Sequence, residues 1–416
     1  MTLINKQTAI IFHIDFDSYF VSALRTIYPH LKNQPVACSK NVKHAIAVSV
    51  SYELKKLGIS AGTKIYEIKA KVPNARIVPA NYKLFNALSN NIFSYLAHKY
   101  TNLMKVCSID ECYLDVSNLC ASKEEAIILA GKMQQDILKT FDIPITIGIS
   151  NTFFAAKMTT NLVKPFGIGY TDETNFQDRF WELPIEYFHG IGKQISPKLR
   201  QIGINSIKDF ASKNINDLNL QKIFGRTLID YFNCLNINRN DHIYKEKRVI
   251  KGIGKSESFT NFPVSEEKAI YTINQFAKEL TIRMQTKNLV CKNIAVGIRT
   301  LNKNWEYKQK KLPKYTDNLE QIQKIVKKMF IDTYLNSSFR GIAVRLSELE
   351  NKLNVFEPIS LLEKQKKQLT QVDRIIENIN DKLKAKKVYT LKEFQEKQKE
   401  KQENSEFLDN VVFKRW

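Results

Sequence analysis

The stretch I-F-H-I-D-F-D-S-Y-F at residues 11–20, taken with C-S-I-D-E-C-Y-L-D at residues 107–115, decides the fold. Each sets carboxylates at the end of a short apolar run. Runs of this length that stop at a charge read as buried strands rather than helices. Residues 8–14 therefore predict a strand, and 106–116 predict strand–turn–strand with Asp110 and Glu111 in the middle. Neighbours on a flat strand point to opposite faces, so these two acids converge only at a hairpin turn. An isolated Asp-Glu would be no more than a polar turn. Together with Asp15 they make a set of hard oxygen donors. Mg²⁺ prefers such ligands and commonly sits between carboxylates and a substrate's phosphates. Two such ions, roughly 3.5–4 Å apart, activate an attacking oxygen and stabilise a leaving one.

Working outward, A-I-A-V-S-V-S within 41–51 predicts a second strand, and 52–58 a helix closed by Gly58. Helical spacing covers 82–100 and 124–141, a strand covers 143–150, and a helix over 151–163 stops before Lys164-Pro165. This order predicts an α+β sheet layer with helices packed on one side. Beyond Gly169 the pattern becomes short helices with glycine turns. A basic linker with two glycines covers 247–256, and strands alternate with helices over 257–349. The tail, 350–416, lacks glycine and is rich in Lys, Glu and Gln. In it Leu369, Val372, Ile376, Ile379 and Leu383 predict a helix with one apolar seam, too short for a coiled coil. No internal repeat is present.

A chain of 416 residues exceeds one compact core, so two to four domains are expected. Lys+Arg number 64 against 42 Asp+Glu, a net charge of +22. That field attracts polyanions, with nucleic acid favoured over a membrane surface. No run approaches the 18 apolar residues of a membrane span. The N-terminus reads as neither a signal nor a transit peptide, which predicts a cytoplasmic protein. Six cysteines without C-x-x-C or zinc spacing read as reduced thiols.

The chain resembles the Y-family (DinB/UmuC-type, polymerase IV-like) translesion DNA polymerases. The likeness is carried by H-I-D-F-D-S-Y-F, V-S-V-S-Y-E-L-K-K-L-G-I-S-A-G, C-S-I-D-E-C-Y-L-D, I-G-I-S-N-T-F-F-A-A-K-M-T-T-N-L-V-K-P-F-G and H-G-I-G-K-Q-I-S-P-K-L. They occur in the family's order over about residues 9–350. The resemblance implies a multidomain α+β right-hand polymerase: palm at 1–21 and 85–170, fingers at 22–84, and a helical thumb with a helix-hairpin-helix at 171–246. A linker at 247–256, an α/β little finger at 257–349 and the charged tail complete it.

The resemblance further implies template-directed, low-fidelity DNA synthesis past damaged bases, with two Mg²⁺ ions, dNTPs and primer–template DNA as ligands and a monomeric enzyme. Asp15, Asp110 and Glu111 would be the catalytic acids and metal ligands, with the Phe16 carbonyl added. Phe16, Tyr19, Phe20, Ser49, Tyr52, Lys55 and Lys164 would contact the dNTP, and Phe20 would be the steric gate against a 2′-hydroxyl. Spacing alone would make Phe20 a core aromatic and Lys164 an ordinary surface lysine. Asp17 and Asp115 read as structural or solvent-facing. Lys55 replaces an arginine common in relatives, which removes a bidentate fork. Leu24 and Asn161 stand where relatives carry acids.

Gly190, Gly192 and Lys193 would contact DNA phosphates from the helix-hairpin-helix, with a degenerate second copy at 223–226. Lys255, Ser256, Arg299 and Arg345 would do so from the little finger. G-I-G-K-S at 252–256 is no P-loop, because Val249 stands where its first glycine belongs. K-L-N-V-F at 352–356 weakly resembles a sliding-clamp peptide and reads equally as a packing patch. Other classes that fit the carboxylates or the charge are a non-catalytic DNA-binding or clamp-tethering protein, and a nuclease or nucleotide cyclase.

Overall fold

β1 (Ile11–Phe16) is buried along its whole length, as its unbroken apolar run requires. The computed structural model describes residues 8–42, 45–244, 250–259, 264–335 and 337–355. These divide into two units, 1–247 and 248–416, each with its own core.

In the first unit β1 is followed by α1 (Tyr19–Ile27). A small subdomain comes next: β2 (Val36–Ser39), β3 (Ala47–Val50), α2 (Tyr52–Lys55), α3 (Ile65–Lys71) and β4 (Arg76–Pro79). Its three strands pair in the order β3-β2-β4 over a core that includes Val50, Leu54, Ile59 and Ile68. The chain then returns through α4 (Tyr82–Lys99), β5 (Met104–Val106), β6 (Glu111–Asp115), α5 (Lys123–Phe141), β7 (Ile145–Ser150), α6 (Phe153–Val163) and β8 (Ile168–Tyr170). Caps mark the helix starts: Ser122 accepts from the Glu125 N–H, and Thr152 from the Ala155 N–H.

The main sheet runs β5-β6-β1-β7-β8. β1 lies antiparallel to both neighbours, with Asp15 opposite Glu111 on β6 and opposite Thr146 on β7. Alternation sends Phe12, Ile14 and Phe16 into a core shared with Phe85, Ile92 and Leu96 of α4 and Ala130 and Met133 of α5. The other parity, Ile11, His13 and Asp15, faces α6. Ile11 packs with Ala156, and the His13 ring bonds Thr160. Helices thus cover both faces, not one as the element order suggested. The reason is β7, whose Gly148 lets α6 lie directly on the strand. A Cβ there would land on the Ala156 carbonyl and on Thr160.

The unit ends in short helices, α7 (Phe176–Phe180), α8 (Ser196–Gln201), α9 (Ile207–Ala211), α10 (Leu218–Phe224) and α11 (Leu228–Cys234). They pack on Phe180, Phe188, Leu199 and Phe210. In the expected helix-hairpin-helix, a 3-10 turn (Ile185–Tyr187) leads to Gly190 at φ +103 and then to α8. Gly225, at φ +56, separates α10 from α11 in a second helix–turn–helix.

The second unit contains β9 (Gly252–Ser258), α12 (Glu266–Gln285), β10 (Leu289–Thr300), β11 (Trp305–Thr316), α13 (Leu319–Tyr334) and β12 (Phe339–Asn351). The sheet order is β11-β10-β12-β9. Ile294, Val296, Ile342 and Val344 face α12 and α13 across a core containing Phe276, Leu280, Val326 and Phe330. Residues 252–256, expected within a tether, instead form β9. Gly254 and Ser256 there align with Arg345 and Ala343 of β12. The glycines that suggested flexibility serve close approach: a Cβ on Gly254 would stand 3.2 Å from the Val344 carbonyl. The seam at 369–383 lies outside the described residues.

Replacing Gly148 by Ala should destabilise the first unit by about 1–3 kcal/mol or more, since α6 cannot back away without breaking its contacts with β1. The thermal transition of that unit should fall while that of the second stays in place, which differential scanning calorimetry resolves.

Candidate active site

The acids gather where β1 and β6 end side by side. Residues directly opposite on antiparallel strands carry Cβ atoms about 4.5–5.5 Å apart, so Asp15 and Glu111 share one face of the sheet. Asp110 joins them from the turn between β5 and β6. That turn is tight: the Cys107 and Ser108 N–H groups both donate to the Glu111 carbonyl, at 3.0 and 3.2 Å. The Phe16 N–H donates to the Asp110 carbonyl at 2.8 Å, tying the turn to β1. The Ser108 hydroxyl donates to Asp110 Oδ1 at 2.6 Å.

A cavity of about 210 Å³ opens in front of these groups. Asp15 and Phe16 line it from β1, Tyr19 and Phe20 from α1, Asp110 from the β5–β6 turn and Lys164 from the end of α6, and Ser49, Tyr52 and Lys55 line it from the small subdomain. Glu111 stands behind Asp15 and does not line it. Phe20 lies flat on Phe85, with ring centroids 4.5 Å apart and planes 11° from parallel. Tyr82 closes edge-on against both rings. Tyr19 is buried and its hydroxyl donates to the Phe85 carbonyl at 2.5 Å, so its ring cannot serve a ligand and only its backbone can. The Tyr52 hydroxyl is likewise engaged, donating to Asp17 Oδ1 at 2.9 Å. The Lys55 ammonium rests 4.1 Å from the centre of the Tyr52 ring. Burial, and after it the charge of Lys164, lowers its pKa.

Asp17 is buried and structural. It accepts from the Thr146 and Tyr52 hydroxyls and from the Phe166 N–H, which fixes the chain next to Lys164. Asp115 is also buried, accepting from Ser117 and from the His242 ring.

Two site residues escape a reading of carboxylates and motifs. Ser18 lines the cavity in a left-handed conformation (φ 45), its buried hydroxyl without a hydrogen-bond partner among the described residues. Lys157, only 8% exposed, reaches from α6 to Asp15 Oδ2 at 3.3 Å and makes a direct ion pair with Glu111. Lys164 caps the other side, 2.6 Å from Asp15 Oδ1. No signal in the sequence singles out Lys157, because Lys164 already lies past the end of α6 in extended backbone and shares no helix face with it. The His13 ring, 3.8 Å away, and the Lys157 ammonium hold the Glu111 carboxyl down to about 2. Burial pushes the Asp110 carboxyl the opposite way, helped by the charges of Asp15 and Glu111.

A divalent cation would find a suitable donor set here, since the three acids are hard oxygen ligands on adjoining backbone. Among the described residues, however, no three His, Cys, Asp or Glu side chains converge into a ready-made cluster. The Asp15 and Glu111 oxygens are turned to the two lysines.

In the second unit β9 alternates, so Lys255 and Ser256 cannot share a face. Lys255 pairs with Glu279 and lies 5.2 Å from the Phe276 ring, on the side of α12. Ser256, Arg299 and Arg345 belong to the opposite, open side; the expectation that Lys255 joins them is corrected. Arg299 donates to the Ser258 hydroxyl at 2.9 Å. In the first unit Gly190, Gly192 and Lys193 are exposed on their hairpin.

This geometry meets clear relatives. A family profile described as impB/mucB/samB matches residues 14–161, and its C-terminal domain matches 250–355. The chain belongs to the impB/mucB/samB family, DNA-directed DNA polymerases of the DinB-type Y-family. DNA polymerase IV of Ureaplasma parvum serovar 3 is 30% identical over 367 residues, 86% of this chain and 99% of that one. DNA polymerase IV of Oceanobacillus iheyensis is 29% identical over 380 residues, 89% of this chain and 90% of that one. Among solved structures, the Y-family DNA polymerase chimera Dbh-Dpo4(243-245)-Dbh has a TM-score of 0.71 at 26% identity, covering 82% of this chain and 98% of that chain. An insertion ternary complex of Dbh DNA polymerase has a TM-score of 0.61 at 25% identity, covering 81% and 98%.

The acids should separate by role in the metal-free protein. Asp17→Ala leaves buried donors unpaired and should cost about 1–3 kcal/mol. Asp110 has a raised pKa, so its charge penalises the fold at neutral pH and the penalty fades as pH falls through the folded value. Asp110→Asn should therefore leave stability unchanged or higher at pH 7, as urea unfolding at pH 7 checks.

Proposed function

We propose that this polymerase extends a primer 3′-OH by template-directed, low-fidelity nucleotidyl transfer from dNTPs, continuing past damaged bases. The observation that carries the proposal is the single cavity onto which Asp15, Asp110, Lys55, Lys164 and Phe20 converge. Two Mg²⁺ ions would be held by Asp15, Asp110, Glu111 and the Phe16 carbonyl; when bound they would acidify the primer hydroxyl and neutralise the triphosphate. Lys55 and Lys164 supply positive charge to the triphosphate's end of the cavity, and Ser49 a hydroxyl donor. Positioning and charge neutralisation are the main work of such a site.

Phe20 is proposed as the floor beneath the incoming sugar. Its ring is stacked on Phe85 and braced from the side by Tyr82, which hold it flat against a 2′-hydroxyl, so ribonucleotides are excluded by collision. Low fidelity follows from the slightness of the small subdomain, whose three short strands and two short helices leave little surface to test the nascent pair.

DNA would be bound through phosphates by the exposed hairpin with Gly190, Gly192 and Lys193 and by the open sheet side with Ser256, Arg299 and Arg345, as the net charge of +22 favours. We further propose a monomer that docks on a sliding clamp through residues 352–356. Leu353 supports this, being 82% exposed on a 3-10 turn (Lys352–Asn354); Phe356 lies outside the described residues. Among the described residues no helix is long and apolar enough to cross a membrane.

Asp110→Ala should abolish incorporation, by at least about 10³-fold, while primer–template affinity stays within about twofold. Primer extension and anisotropy read the two arms, and retained synthesis would remove the metal assignment. The same assay separates a polymerase from a non-catalytic binder, and labelled-primer products separate growth from degradation. Phe20→Ala should admit ribonucleotides, and Phe85→Ala should do so to a smaller degree because the gate loses its backing. Competition between dCTP and CTP in single-nucleotide insertion measures both; unchanged sugar selection in Phe20→Ala would place the gate elsewhere.

A further inference from the structure

The buried ammonium of Lys157 has no use as a surface charge and is placed with unusual economy. It is 8% exposed, projects from α6, and meets Asp15 Oδ2 and Glu111 at once. Two observations fix that placement. Gly148 lets α6 sit against the sheet, and Thr160, one turn further along, holds the His13 ring on the same parity of β1 as Asp15. Lys157 therefore reaches the acids from a helix that cannot withdraw. Without a cation between them, Asp15 and Glu111 would face each other as like charges at directly opposed strand positions, an unfavourable arrangement.

We propose that Lys157 is a resident counter-cation of the empty polymerase: it holds Asp15 and Glu111 in register and competes with divalent ions for the same carboxylate oxygens, so that it sets the metal affinity of the site. This rests on the two-metal reading above. A compact ammonium with rotatable donors suits the task, because it bonds both acids yet yields one without leaving the other. Lys164 shares the load on Asp15 Oδ1, but it is more exposed and lines the cavity. Lys157 does not line it, and among the described residues its hydrogen bonds go to these two carboxylates.

The test is Mn²⁺ binding to full-length protein free of DNA and nucleotide, read as free ion by electron paramagnetic resonance, for wild type, Lys157→Met and Lys157→Arg. Met keeps the length of the side chain without its charge and should bind Mn²⁺ about tenfold more tightly. Arg offers a planar fork that holds carboxylates more rigidly and should bind several-fold more weakly. Thermal melts add a second readout: metal-free Lys157→Met should melt below wild type, and saturating Mn²⁺ should raise its midpoint by more. If Met fails to fold, the comparison of Arg with wild type still decides. Equal affinities, or weaker binding in Met, overturn the role of Lys157 and leave the two-metal reading standing. No binding by any of the three, even with primer–template and dNTP added, overturns both.

Discussion

The structure turns on a pairing that is unfavourable by itself. Asp15 and Glu111 occupy opposed positions on two adjoining strands, and Asp110 follows in the turn. Like charges so placed repel, and burial worsens the repulsion by removing water. The surroundings answer it. Two lysines close on the acids from α6 and its C-terminal end, and the Ser108 hydroxyl holds Asp110. Much of the first unit is arranged to keep that cluster of opposite charges in place: the glycine under α6, the cap at Thr152, and the pin from Asp17 to Thr146 and Phe166.

The same arrangement explains why neighbouring carboxylates behave differently. Glu111 lies 3.8 Å from His13 Nε2 and in contact with Lys157, and stays ionised far below the ordinary range. Asp110 has a hydroxyl partner and two acidic neighbours, and burial raises its pKa. Asp17 is fully engaged in holding the backbone and is an architectural acid, although it stands two residues from Asp15. Environment, rather than residue type, divides the labour.

Much of this was legible in the order of residues. The strand expected at 8–14 lies at Ile11–Phe16, and the turn expected at Asp110-Glu111 closes over 107–110 with Glu111 already opening β6; the helices at 82–100 and 124–141 and the change of character after Gly169 follow from hydrophobic period and punctuation. The two-sided burial of the sheet was harder, because nothing local tells which face of a continuous apolar run a later helix will cover. Lys157 was obscured for the same reason: inside an apolar helix it looks like any lysine until α6 is laid on β1. The resemblance puts Tyr19 and Tyr52 among the dNTP contacts, and only the fold shows their hydroxyls bonded to the Phe85 carbonyl and to Asp17. In β9 the glycines suggested slack, whereas the pairing with β12 that makes them a strand is a contact across more than ninety positions.

That last strand carries a consequence for exchanging parts between relatives. β9 pairs residue by residue with β12, and its odd and even positions look in opposite directions. A graft whose joint falls before Gly252 leaves the register of the ladder as it is. Within 252–258, a net gain or loss of one residue would invert parity, turning Ser256 inward and Lys255 outward. Chimeras of this family therefore have a natural cutting point just ahead of the strand, and a forbidden odd step inside it.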